Sequence, residues 1–173
     1  MRESYRKDVG ILTWHYYSNV GSALQAYALH TYIKKLGYSC EFVNYRKFVD
    51  KGILYKIVRN VCTKITNIFP KLLPETYRFR TYAFRKKYFE ESKLIKTEQE
   101  LEILNDEYKC FVCGSDQIWA PNVLDEVYLL PFVRPEKYKF SYAASIGLNK
   151  IPENLKKIYK RNTSKGIYKN SKN

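Results

Sequence analysis

The most constraining feature of this chain is a strand–helix–strand pattern packed into its first 45 residues. "VGILTW" (9–14) is a short, β-prone apolar run of the kind that fills a buried strand. A polar and aromatic loop, "HYYSNVGS", follows it. In the next stretch Ala26, Leu29, Ile33 and Leu36 recur at three- and four-residue steps, with Lys34 and Lys35 at the C-terminal end and Gly37 closing it. The spacing predicts a helix with Ser22 as its N-cap. "SCEFVNY" (39–45) is the next strand. Two strands joined by a helix in so short a span make a βαβ unit, which requires a parallel sheet.

The rest of the chain extends this pattern. "TEQELEILNDEY" (97–108) predicts an amphipathic helix in which Thr97 and Glu100 form a capping box. It leads into the apolar run "KCFVC", and "VYLLPFV" (127–133) and "YKFSYAASIG" (138–147) are two further strand candidates. Between the second strand and residue 97 lies a basic helical insertion, about 47–96, with apolar residues at helical spacing over 53–69. The sequence therefore predicts an α/β protein: a Rossmann-like open parallel sheet over residues 1–155, interrupted by the insertion. From Lys156 to the end there are seven basic residues and no acid, and a frayed, disordered tail is expected.

Charge is concentrated rather than spread. The formal net charge of +14 comes from the 46–96 block and the tail, while 97–155 is acidic. A basic balance suits nucleic acid, anionic lipid or an anionic small molecule and does not choose among them. In the 77–89 block the aromatics Tyr77, Phe79, Tyr82, Phe84 and Tyr88 step as one packed side would, leaving Arg78, Arg80 and Arg85 for a solvated face. Nucleic acid is therefore not the expected partner, and membrane contact is expected to be peripheral at most. Cys110 and Cys113 make a C-x-x-C inside a strand, without the second pair or nearby His that zinc needs, so buried reduced thiols and a cytoplasmic location are expected. No metal or cofactor is implied by any motif.

In open α/β sheets ligands bind beyond the C-terminal strand ends. Three loops leave such ends: 15–22, 114–121 and 143–147. Each carries glycine and small hydroxylated or amide residues, among them Asn19, Gly21 and Ser22, then Gly114 and Ser115, then Ser145. Asp116 is a candidate general base or hydroxyl binder, and Gln117 can donate and accept at once. Trp119 suits either a sugar face or the core. His15 is a candidate acid–base group or a structural histidine, and His30, mid-helix, is expected on the surface.

With these residues in view, the chain resembles the polysaccharide pyruvyl transferase family. The matching stretches are "VGILTWHYYSNVGSALQAYALHTYIKKLGYSCEFVNY", "FRKKYFEESKLI", "YKCFVCGSDQIWAP" and "KFSYAASIG", together spanning about 8–155. The resemblance implies transfer of a pyruvyl group from phosphoenolpyruvate, the donor substrate, to hydroxyls of a saccharide acceptor in cell-surface polysaccharide synthesis. It implies a fold of two Rossmann-like domains, of which this chain would be one half, as in B-type glycosyltransferases. Carried over by position, Asn19, Gly21 and Ser22 would form a backbone-lined binding loop, and Ser115, Asp116 and Gln117 would contact substrate. By their place in the three loops, Gly114, Trp119 and Ser145 are further expected substrate-binding residues, and Asp116 and His15 are the expected catalytic groups. Ala120 stands where the family usually has Asn, and Pro131 where an acidic residue is common. The basic tail falls where a second domain would begin, so a truncated or split member, completed by a second domain or chain, is expected. A non-catalytic sugar- or anion-binding module derived from the family is the alternative.

Overall fold

The computed structural model describes residues 5–46 and 76–163, with the side chains of 76–79 and 163 excepted. The amphipathic stretch 53–69, Cys62, and the side chains of Tyr77, Arg78 and Phe79 lie outside the described residues. In chain order the elements are β1 (Lys7–Leu12), α1 (Val20–Lys35), β2 (Cys40–Phe42), α2 (Thr76–Tyr88), α3 (Glu98–Glu107), β3 (Tyr108–Asp116), a 3₁₀ turn (Glu126–Leu129), β4 (Tyr138–Ala144) and α4 (Glu153–Thr163).

The four strands form one parallel sheet in the order β2-β1-β3-β4. Val9 pairs with Cys40 on one side and Cys110 on the other, and Cys110 pairs with Tyr138. Strand alternation then separates two apolar layers. Val9, Ile11, Cys40 and Phe42 pack against Ala26, Leu29 and Ile33 of α1. Leu12, Phe111 and Cys113 face the other way, toward Leu101 and Leu104 of α3 and toward Ile118, Val127 and Leu130. A side chain on Gly10 would place its Cβ 3.0 Å from the Phe111 ring, tighter than an ordinary contact, so any other residue here would push that ring away from β1 by a few tenths of an ångström. The capping box of α3 is formed as expected, with Thr97 Oγ1 accepting from the Glu100 amide at 3.2 Å.

Several expectations are corrected. The cap of α1 is Asn19, whose side chain accepts from the Ser22 amide, and Ser22 sits inside the first turn. A carboxamide three residues upstream of a free amide does what the Ser22 hydroxyl was expected to do. "VYLLPFV" is not a strand: β3 and β4 pair directly, and Leu130 at φ 56 followed by Pro131 prevents extended pairing. His30 is buried at 3% exposure, its ring 5.2 Å from Phe42. In α2 Phe84 and Tyr88 pack on Tyr27 as the spacing suggested, but Tyr82 is exposed. Arg85 is not on a solvated face; it is tied to Glu91 by two guanidinium hydrogen bonds.

The frayed tail expected from Lys156 is helix as far as Thr163; the residues beyond lie outside the description. Leu155, Ile158, Tyr159 and Asn162 form a stripe at helical spacing that lies wholly or partly buried. Lys139, buried on β4, donates to the Asn162 carbonyl at 3.2 Å and the Leu130 carbonyl at 3.4 Å. Its cation meets the negative end of the α4 dipole. Tyr159 also donates its hydroxyl to the Trp119 carbonyl.

Candidate functional site

Strand order reverses direction between β1 and β3: the chain leaves β1 toward β2 on one side and later returns to β1's other side as β3. At such a switch point the two outgoing loops diverge and open a crevice. Here a cleft of about 850 Å³ lies at that place, lined by Trp14, Tyr17, Ser18, Asn19, Val20, Ser22, Asp116, Gln117 and Val123. A larger hollow of about 1000 Å³ lies at the N-terminal strand ends, among Val9, Cys110, Val112 and Phe140. That hollow has an apolar floor and a charged rim, where Lys109 is paired with Asp8 and Arg134 with Asp106, whereas the switch-point cleft gathers hydroxyl, amide and carboxylate groups beyond the C-terminal strand ends.

Asp116 is the centre of the cleft's polar groups. Its Oδ2 accepts from the Ser22 hydroxyl at 2.7 Å, and its Oδ1 accepts from the Gln117 amide at 2.7 Å. The carboxylate therefore faces the first turn of α1, where unpaired amides and the helix dipole favour an anion. Asp116 adopts φ 140, a backbone state unfavourable for a residue with a Cβ, at a cost of about 1–3 kcal/mol. The neighbouring chain holds it there. The Ser145 amide donates to the Asp116 carbonyl at 2.9 Å, and the Trp119 amide donates to the Ser145 carbonyl at 3.2 Å. Gly114, at φ 119, runs so close to β4 that a Cβ would lie 2.0 Å from the Tyr142 carbonyl oxygen.

The sequence-derived candidates divide into those gathered at the cleft and those that are not. Asn19, Ser22, Asp116 and Gln117 line it. Gly21 is exposed in the first turn of α1, and Gly114 is buried beneath the turn. Ser115 and Ser145 support the cleft from behind, the Ser145 hydroxyl accepting from the Gly147 amide at 3.0 Å. Trp119 does not line it: its ring packs on the core layer and its Nε1 donates to the Tyr128 carbonyl at 2.9 Å.

His15 is buried, 1% exposed, stacked on Phe42 at 4.9 Å with its Nδ1 3.0 Å from the Thr13 carbonyl. Burial lowers its pKa to about 4, outweighing the nearby Glu91 carboxylate, which lies 3.8 Å from Nε2. The ring is neutral near pH 7 and does not line the cleft. Burial also works against ionisation of Glu91, but Arg85 and Arg46 outweigh it and hold that carboxyl below its ordinary range. Cys110 and Cys113 are free and belong to opposite faces of β3. Burial pushes the Cys110 thiol up to about 11 and Cys113 further still.

Four residues at the cleft or behind it do not stand out in the sequence as candidates. Trp14 and Tyr17 form the aromatic wall, their rings 5.8 Å apart edge to face. The run "WHYY" at the strand end was their signal, since a loop rich in exposed aromatics has rings to offer a ligand. Thr13 and Gln25 stand behind the Asp116 turn. Gln25 lies three residues after Ser22 and so on the same helix face, which is the only trace it leaves in the sequence.

Among the described residues the cleft lining contains no Lys or Arg and one acid. No group of three or more His, Cys, Asp or Glu among them could hold a metal ion, and no described helix is long and apolar enough to cross a membrane. Neutral hydroxyl and amide groups, one carboxylate and two aromatic rings make a surface suited to a polyhydroxylated ligand.

Comparison with known proteins found no match among curated proteins and none among solved structures. The family model described as polysaccharide pyruvyl transferase matches residues 19–167. The match starts at the Asn19 cap, takes in Ser22, Asp116 and Gln117, and runs beyond the span of the resemblance into the basic C-terminal segment. By that match, over most of its length, this chain belongs to the polysaccharide pyruvyl transferase family.

Proposed function

We propose that the switch-point cleft binds the saccharide acceptor for pyruvyl transfer from phosphoenolpyruvate. The observation that carries this is the lining itself: hydroxyl-matching groups around Asp116, an aromatic wall of Trp14 and Tyr17, and no cation among the described residues. Phosphoenolpyruvate carries a carboxylate and a phosphate, and a site for it would need cationic groups. A sugar needs paired donors and acceptors with an apolar ring face. Asp116 would accept a hydroxyl proton as that oxygen attacks the carbon bearing phosphate, Ser22 holding the carboxylate toward the cleft. Two sugar hydroxyls and one phosphoenolpyruvate then give a ketal and inorganic phosphate. The methylene carbon takes one hydroxyl proton and phosphate carries the other. The cationic cradle for the donor would come from a second domain or chain. Free thiols at Cys40, Cys110 and Cys113 support a cytoplasmic setting.

The test is calorimetric titration of the chain with a neutral oligosaccharide, phosphoenolpyruvate and sulfate, each at low and moderate salt. Saccharide binding that survives salt and disappears in Asp116→Ala is expected, with phosphoenolpyruvate no better than sulfate. Selective phosphoenolpyruvate binding lost in the same variant would make this the donor site and overturn the assignment. Absence of saccharide binding would also overturn it.

A further inference from the structure

Behind the Asp116 turn three side chains close a ring of hydrogen bonds. The Thr13 hydroxyl donates to the Ser115 carbonyl at 3.1 Å. The Gln25 Nε2 donates to Thr13 Oγ1 at 3.3 Å. The Ser115 hydroxyl donates to Gln25 Oε1. Each member comes from a different element: Thr13 follows β1, Gln25 lies on α1, and Ser115 belongs to the end of β3.

The direction of the ring is fixed at every step. A hydroxyl has one proton, and a carboxamide presents its oxygen and its NH₂ at opposite corners. With the Thr13 proton on the Ser115 carbonyl, Thr13 can only accept from Gln25. The Gln25 oxygen is then turned to Ser115, whose proton is committed to it. Ser115 therefore has no proton to give a ligand, and its backbone is tied at the residue preceding the strained Asp116.

We propose that Thr13 and Gln25 are positioning residues, and that with Ser115 they form a latch holding the Asp116 carboxylate in the orientation that meets Ser22 and the cleft. Ser115 belongs to this latch and is not a substrate contact. Just past the last β1–β3 pairing, the Thr13 and Gln25 side chains tie the diverging loops together, so the latch sets how far apart the cleft walls stand. As far as it concerns sugar binding, this role rests on the acceptor assignment made above.

The test compares Thr13→Val, which keeps the shape and loses the hydroxyl, with Thr13→Ser, which restores it. Two readouts are needed: amide hydrogen exchange at Gln117 and Trp119, whose amides bond Asp116 Oδ1 and the Ser145 carbonyl, and oligosaccharide affinity by calorimetry. In Thr13→Val, exchange at both amides is expected to rise and affinity to fall, each about five- to tenfold, the scale of one lost hydrogen bond. Thr13→Ser is expected to recover both. Unchanged exchange in Thr13→Val would overturn the latch, and so would faster exchange with unchanged affinity. If the wild-type chain binds no saccharide, the acceptor assignment has failed, and the exchange comparison alone decides the latch. If Thr13→Val does not fold, Gln25→Leu on half-buried α1 replaces it, with the same outcomes read the same way.

Discussion

Two polar clusters flank the loop that follows β1, and they differ in one respect that decides their roles. At Asp116 the carboxylate opens onto a cleft and is held by Ser22 and by its own neighbour's amide. At His15 the ring is packed against Phe42 and Phe89, and the Arg85 and Glu91 side chains paired beside it are each 17% exposed. Both contain groups capable of proton transfer. Only the first opens onto the cleft; in the second the imidazole is buried and neutral, and the ion pair beside it is mostly buried. At this sheet edge the two clusters thus differ in access more than in residue type.

The largest expected effect separates the clusters by stability. Glu91→Ala leaves the Arg85 cation half-buried without its partner, and should cost about 3–5 kcal/mol in a urea titration while leaving saccharide affinity in the folded fraction unchanged. A change in affinity larger than the change in fold would mean that the buried cluster reaches the cleft.

The next effect is a pH dependence. The folded pKa of His15 is about 4, below the ordinary 6.5, so between those values the unfolded chain is protonated there and the folded chain is not. Stability should therefore fall as pH drops from 6.5 toward 4 and be flat above 6.5, with His15 contributing roughly 2–4 kcal/mol across the window. Glu91, Arg85 and Arg46 are the charged groups facing it. His30, also lowered by burial, adds in the same direction. Asp8 and Glu90, held near 2 by hydrogen bonds to lysines, lose their contribution mainly below this window. Urea titrations at several pH values should show a shallower slope in His15→Phe; an unchanged slope would place the dependence elsewhere.

Smaller effects belong to the open cluster and leave the fold intact. Asp116→Ala should weaken oligosaccharide binding about thirtyfold, close to 2 kcal/mol for hydrogen bonds to a charged group. It should also lower stability by about 1–3 kcal/mol, because alanine keeps a Cβ at φ 140 and loses the bonds from Ser22 and the Gln117 amide. Ser22→Ala should cost about fivefold in affinity, one hydroxyl contact to that carboxylate. If Ser22→Ala proves more damaging than Asp116→Ala, the serine and not the carboxylate is the group that meets the ligand.

Periodicity and turn chemistry carried much of the fold. The βαβ opening, the α3 capping box and the existence of the β3 strand follow from local spacing, and local spacing is what a sequence displays; that β3 runs on past Gly114 to Asp116 does not. The 3₁₀ turn at 126–129 was misread because an apolar run does not disclose whether a place in the sheet exists for it; β4 already occupies the position beside β3. The helix α4 was missed because its stripe of Leu155, Ile158, Tyr159 and Asn162 is sparse among lysines and is completed by Lys139, a buried cation from a distant strand.

At the site, the loops and the residues Asn19, Ser22, Asp116 and Gln117 could be named from type and position, because ligands of parallel sheets gather at the C-terminal strand ends. Charge, the parallel sheet and the family likeness were likewise settled by the sequence. Access and partnership were decided by tertiary structure. His15 and Trp119 turn into the protein, Trp14 and Tyr17 become the wall, and Thr13, Gln25 and Ser115 meet across 90 and 102 residues of chain. Such contacts depend on where strand order places distant loops, and no local pattern records that.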